Sequence, residues 1–216
     1  FAVASGAHAV PNDETFIEPS FETISAYGPH GAIVHYEPTE ETNVELKPES
    51  FLLVDSGGHY MEGTTDITRT ITLGTLTEEE KWAYTLVLIG HLNLAAARFK
   101  HGTRGENLDY LAREPLWRYG LDFNHGTGHG VGYLLNVHEG PNRIHFRIME
   151  ERRPTAVFEE GMITSDEPGL YIEGRFGIRH ENLVLCKKAG KPAGKLPEAL
   201  TAVLSVIYLF QISWFA

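Results

Sequence analysis

The chain has 216 residues, 42% hydrophobic and 22% charged, and a formal net charge of −11 at pH 7. That acid surplus excludes a nucleic-acid-binding surface, though a cluster of metal-binding carboxylates would inflate it. The apolar content suffices for a substantial core in one large domain or two small ones, and a single cysteine, Cys186, excludes an internal disulfide framework and fits a reducing, cytoplasmic setting.

Phe1 to Ala9 is mildly apolar without a charged leader, so no secretory signal opens the chain. Residues 1–19 read as an atypical leader, or the remnant of a missing N-terminal part. Phe21 to Ser25 and Ala32 to Tyr36 read as short strands around the turn Gly28-Pro29-His30-Gly31. Phe51 to Asp55 is an apolar run ending in an acid, and a hairpin at His59-Tyr60-Met61 follows. Asp66 to Leu73 alternates Ile67, Arg69, Ile71 and Leu73 against threonines, which is strand chemistry at period two.

Thr77 and Glu80 form a capping box that opens a helix from Glu78 to about Phe99. A second helix is expected over Glu106 to Tyr119, disturbed by Pro115 and stopped by Gly120. Strands then fall within Gly126 to Val137, Met162 to Tyr171 and Phe176 to Cys186. Strands, two helices, then strands predict an α+β domain, with helices covering one face of a mostly antiparallel sheet. Ala199 to Ala216 is uncharged and long enough to span a bilayer. Its β-branched and aromatic content instead favours a buried terminal strand with an apolar tail at 205–216, so a membrane anchor is the lesser reading.

Acids and histidines recur beside the apolar runs. Asp55 follows Phe51-Leu-Leu-Val54, and Glu181 precedes Asn182 and the run Leu183-Val-Leu185, so both carboxylates head towards a core. A hairpin can bring Asp55 and Asp66 side by side. His129 sits in the glycine-rich Gly126 to Gly132, and Glu167 in Ser165-Asp-Glu-Pro-Gly-Leu-Tyr171. Singly, each has an ordinary reading as a turn or loop residue. A buried carboxylate without a cation or donor is costly, however, and four carboxylates with one imidazole suit two divalent ions.

The ordered set LLVDSGG, GTTDITRT, HGTGHGVG with NVHEGP, GMITSDEPGLY and FGIRHEN resembles the pita-bread metallopeptidases, which include aminopeptidase P, prolidase and methionine aminopeptidase. The likeness covers about residues 50 to 186 and extends back to SFETISAYG at Ser20 to Gly28. It implies a metallopeptidase catalytic domain over residues 20–204 with the pita-bread fold. It also implies that Asp55, Asp66, His129, Glu167 and Glu181 ligate two divalent ions, with Asp66 and Glu181 bridging. Manganese is the expected metal, with cobalt or zinc as alternatives. The implied nucleophile is a hydroxide shared by the ions, with Glu167 shuttling its proton. His35, His125 and His138 match family histidines that bind substrate and steady the tetrahedral intermediate. Arg179 matches an arginine that pairs with a ligand carboxylate. His30, His59, His145 and His180 have no match and read as surface or packing residues.

TSDEPGLY and NVHEGP look most like aminopeptidase P, implying hydrolysis of N-terminal Xaa-Pro bonds in peptides with proline second. The alternatives are a prolidase acting on Xaa-Pro dipeptides and a non-catalytic peptide-binding module. A homodimer is compatible with the likeness, a membrane partner is disfavoured, and the short stretch before Ser20 departs from the family pattern.

Overall fold

The computed structural model describes residues 15–147, 155–189 and, as backbone, 203–208. In chain order, β1 (Phe16–Pro19) and β2 (Ile24–Tyr27) lead into a 3-10 turn at Gly28–Ala32. β3 (Phe51–Ser56) is followed by the hairpin β4 (Gly58–Tyr60) and β5 (Gly63–Thr64), then β6 (Ile67–Thr72). Next come α1 (Glu78–Ala95), β7 (Arg98–Lys100) and α2 (Gly105–Trp117). The rest is strand: β8 (Gly128–Val131), β9 (His138–Ile144), β10 (Ile163–Asp166), β11 (Gly169–Ile172), β12 (Phe176–Arg179), β13 (Asn182–Lys188) and β14 (Val203–Tyr208).

The strands form a six-stranded sheet in the order β7-β14-β13-β10-β8-β9, three-stranded sheets β2-β3-β6 and β1-β4-β5, and the hairpin β11-β12. The strand pairs are antiparallel. This is the α+β arrangement expected, and β14 takes a place between β13 and β7. Thus β1 lies just before the expected boundary at residue 19, and β14 runs across the one at residue 204. Residues 1–14 of the expected leader and 209–216 of the tail lie outside the described residues. No described helix is long and apolar enough to cross a membrane.

Three local expectations are corrected. Ala32 to Tyr36 is not a strand: Gly31 lies against the backbone of Gly177, where a Cβ on Gly177 would collide with Gly31 O, and the chain turns there. β2 is shifted to Ile24–Tyr27 from the expected Phe21–Ser25. α1 opens with the capping box, Glu80 N donating to Thr77 Oγ1 at 3.2 Å, but ends at Ala95. Phe99 belongs instead to β7, buried with Leu94, Leu108 and Phe158. β6 alternates as period two requires, and its buried face is Thr68 and Thr70. Those hydroxyls are consumed inside, Thr70 Oγ1 donating to Arg179 O at 2.9 Å.

The helices lie on the strands through two apolar clusters, of which the one against β3, β11 and β12 bears on the acids. Ala83, Leu86 and Val87 of α1 and Leu116 of α2 pack with Phe51, Phe123, Leu170, Phe176 and Ile178. Burial of each large side chain contributes about 1.5–3 kcal/mol, which seats β3, β11 and β12 firmly beneath the helices.

A buried ion network ties α2 to the segment before β8. Arg113 is fully buried and donates to Asp109 Oδ2 at 2.6 Å, Asp122 Oδ1 at 2.7 Å, Phe123 O at 2.5 Å and His125 O at 2.8 Å. Its guanidinium also lies 3.8 Å from the Phe123 ring centroid. Removing the cation would strand the buried Asp109 carboxylate, left among the described residues with the Thr127 hydroxyl at 2.6 Å. Arg113→Met is expected to cost about 3–5 kcal/mol in urea unfolding followed by tryptophan fluorescence; a loss under about 1 kcal/mol, the scale of exposed pairs, would contradict this role.

Candidate metal centre

A cavity of about 650 Å³ opens between the β2-β3-β6 sheet and the six-stranded sheet. Its wall includes every residue singled out by the sequence motifs: Asp55, Asp66, His129, Glu167 and Glu181, with His35, His125, His138 and Arg179 around them. Each arrives from a different strand or strand end. Asp55 is the penultimate residue of β3, and Asp66 immediately precedes β6. His129 lies on β8, Glu167 follows β10, and Glu181 sits between β12 and β13. β8 can approach β10 so closely because Gly128 has no side chain; a Cβ there would collide with Ser165 O.

The ligand atoms form two groups that share Glu181. Asp55, Asp66 and Glu181 make one, His129, Glu167 and Glu181 the other, the atoms within each lying within 4.8 Å of one another. A third grouping joins Asp66, His129 and His138. His129 Nε2 stands 3.4 Å from Asp66 Oδ2 and 3.3 Å from Glu167 Oε1. Its Nδ1 donates to Gly130 O at 3.0 Å, which leaves Nε2 facing the acids.

Two residues not flagged by the sequence steady these acids. Thr68 Oγ1 donates to Glu181 Oε2 at 2.8 Å and accepts from Arg179 Nε at 3.1 Å. Ser165 Oγ donates to Glu167 Oε1 at 3.1 Å and accepts from His129 N at 2.9 Å. Arg179 Nη2 pairs with Asp55 Oδ2 at 2.6 Å, and Nη1 donates to the hydroxyl of Tyr171 at 2.9 Å. That hydroxyl in turn meets His125 Nε2 at 2.8 Å, while His125 Nδ1 meets Gly126 O at 2.8 Å. A carbonyl only accepts, so Nδ1 carries the proton and Nε2 receives the Tyr171 hydrogen. A chain of bonds therefore runs from Asp55 through Arg179 and Tyr171 to His125, with Tyr171 the link that no motif argument singled out. Its hydroxyl group holds on to its proton, burial pushing its pKa up to about 12.

His35 and His138 are exposed at the rim, and His138 meets the His129 ring edge-on at 4.2 Å. Partial loss of hydration against the cavity wall, followed by the nearby His129 charge, lowers the pKa of His138. Of the histidines read as surface or packing residues, His145 lines the cavity, whereas His30 stacks on Tyr36. His59 is buried with Nδ1 2.8 Å from Thr64 Oγ1, and His180 is buried against Tyr84.

The electrostatics identify what the residues lack. Asp55 Oδ1 and Glu181 Oε1 are buried with no hydrogen-bond partner among the described residues. Burial raises the Asp55 pKa to about 6 against the pull of Arg179, and burial together with the neighbouring carboxylates raises Glu181 well above its ordinary value. His129 is pushed the other way. Burial alone would depress it, but hydrogen bonds to Asp66 and Glu167 and the Glu167 charge lift it to about 11. Burial also opposes ionisation of Glu167, and the His129 bond and charge overcome it, holding its pKa low. A set of acids that protonates an imidazole and leaves two oxygens unmet fits divalent cations, for which carboxylate and imidazole are suitable donors.

Residues 2–188 match metallopeptidase family M24. The chain is 52% identical to aminopeptidase P1 of Lotus japonicus over 171 residues, 79% of this chain and 25% of that protein. Its fold is similar to the crystal structure of X-prolyl aminopeptidase from Caenorhabditis elegans, described as a cytosolic enzyme with a di-nuclear active site. That likeness has a TM-score of 0.86 and 40% identity, and covers 96% of this chain and 32% of that one. Prolidase from Pyrococcus furiosus is similar with a TM-score of 0.69 and 34% identity, over 79% of this chain and 48% of that one. The chain spans about a quarter of the length of the curated relatives it matches.

Without bound cations, His129 keeps a proton that the unfolded chain releases near pH 6.5. The resulting stability is fully present below that value and is lost as pH rises through about 11. Ion-free thermal stability is therefore expected to fall between pH 7 and pH 9, with a slope of up to about 1.4 kcal/mol per pH unit from this group. Cations compete with that proton, so saturating Mn2+ is expected to remove the fall. Melting curves in chelator and in Mn2+ check this; a chelator profile that stays level would contradict a protonated His129.

Proposed function

The chain belongs to metallopeptidase family M24, and from that membership we propose that it carries the catalytic part of an Xaa-Pro aminopeptidase. The observation that carries the proposal is the pair of ligand groups meeting at Glu181 in one open cavity. In this reading Asp55, Asp66, His129, Glu167 and Glu181 hold two divalent cations, with Asp66 and Glu181 shared. The catalytic role falls to residues 20–204, with β1 just before that stretch and β14 running across its end. Manganese is the proposed metal because the donor set is rich in oxygen, with cobalt and zinc next.

Bound there, two divalent cations supply Lewis acidity to a scissile carbonyl and make an attacking water more acidic. The chain's own groups do the rest. Glu167, ionised at the cavity wall, takes a proton from the attacking water and passes it to the leaving nitrogen. His35 and His138 stand at the rim, where their ring N–H groups meet substrate and the developing oxyanion. His125 acts differently from the expectation for such histidines. Both its ring nitrogens are engaged, so it orients Tyr171, which with Arg179 holds Asp55 in register.

Phe21, Ile24 and Val34 give the cavity wall apolar surface suited to a proline ring. Proline has no amide N–H, so recognition falls to ring shape and to the acceptor carbonyl. Peptides with proline second are the proposed substrates. The cytosolic description of the Caenorhabditis elegans relative and the lone, buried Cys186 support a cytoplasmic setting.

With Mn2+ present, Gly-Pro-Ala is expected to be hydrolysed at the Gly-Pro bond, and Gly-Ala-Ala to be a poor substrate. Asp66→Ala is expected to lose Mn2+ binding together with at least about three orders of magnitude in kcat/KM. Amino-acid release from these tripeptides and from Gly-Pro distinguishes the readings. Turnover of the dipeptide alone would point to a prolidase, and full Mn2+ occupancy without turnover to a peptide-binding module. Retained activity in the Asp66 variant would refute the ligand set.

A further inference from the structure

Behind the carboxylates, beneath α1, lies a second polar cluster with no part in the chemistry above. Asp166 and Asn182 face each other across β10 and β13. Each adjoins a proposed ligand in sequence, Asp166 preceding Glu167 and Asn182 following Glu181. His91 of α1 bridges the two. Its Nδ1 lies 3.1 Å from Asp166 O and 3.3 Å from Asp166 Oδ2, and its Nε2 lies 2.9 Å from Asn182 Nδ2.

The donor and acceptor roles are mutually consistent. Asp166 presents a carbonyl and carboxylate oxygens, so His91 Nδ1 carries the hydrogen. Asn182 Oδ1 already accepts from Arg69 Nη2 at 3.0 Å, so its amide N–H is turned to His91 Nε2. Arg69 Nη1 also donates to Glu181 O at 2.6 Å, extending the brace to the backbone of the shared ligand. His91 is 3% exposed and Asp166 0%, so bulk water cannot take over these bonds.

We propose that His91 is a positioning residue for the metal centre, setting the separation of the strand ends that present Glu167 and Glu181. The inference rests on the two-metal reading above. Those ends carry carboxylates that repel one another, and an imidazole hydrogen-bonded to both neighbours opposes their separation. An apolar side chain of similar size would fill the space while leaving Asp166 and Asn182 without their shared partner.

The test is Mn2+ titration of the 216-residue chain, following the free-ion signal by electron paramagnetic resonance, with ion-free melting temperatures alongside. The unaltered chain is expected to take up two Mn2+; binding none would defeat the two-metal reading itself and this inference with it. Given two, His91→Leu is expected to weaken the looser site by about tenfold or more, the range for outer-shell partners. His91→Asn can restore the donor to Asp166 and His91→Gln the acceptor for Asn182, so at least one is expected to recover affinity. Unchanged affinity in His91→Leu, or a loss that neither amide variant relieves, would overturn the proposal. Should His91→Leu fail to fold, Asn182→Ser at its half-buried position decides: wild-type Mn2+ affinity there would overturn it too.

Discussion

Mutual repulsion among Asp55, Asp66, Glu167 and Glu181 is the constraint around which the rest of the molecule is arranged. Acid oxygens within 4.8 Å of one another repel, when ionised, by about 3 kcal/mol per pair at an effective dielectric of about 20. Little nearby charge offsets this. Arg179 neutralises Asp55, and His129 takes up a proton between Asp66 and Glu167. Such an assembly is unfavourable for a fold and well suited to a cation site, because each unmet oxygen is a ligand position.

Holding the acids in place falls to groups that are themselves held. Arg179 is buried and spans Asp55, Thr68 and Tyr171, so the guanidinium fixes one ligand, the hydroxyl beside another, and the partner of His125 together. From the far side, Arg113 grips the carbonyl oxygen of His125 and anchors it to α2. The buried threonine face of β6 belongs to the same design: Thr68 serves Glu181, and Thr70 serves the backbone of Arg179. The helices also pack on Phe51, Phe176 and Ile178, which pins the strands whose ends carry the acids.

Much of this was legible in the residues. Apolar runs ending or beginning in an acid marked Asp55 and Glu181, glycine clusters marked the close approach around His129, and the ordered motifs brought all nine candidate side chains to one cavity. What escaped was whatever depends on partners distant in sequence. Thr68, Ser165 and Tyr171 look like ordinary strand residues until β6, β8, β10 and β11 come together. Period two correctly made a strand of Ile67–Thr72 but could not say which face would be inside, because hydroxyls outcompete isoleucines where carboxylates and guanidinium need partners. Ala32 to Tyr36 has strand composition, yet the Gly31 contact with Gly177 imposes a turn. Phe99 continues the helical pattern, and burial beside Phe158 claims it for β7 instead.

This crowd of acids exists to receive two cations. Crystals of the chain grown with Mn2+ and measured at a wavelength where manganese scatters anomalously test that occupancy most directly. Two anomalous peaks are expected, both within bonding distance of Asp66 and Glu181 oxygens, one also touching Asp55 and the other His129 and Glu167. A map at full Mn2+ saturation with no peak among these side chains, or with a single one, would contradict it.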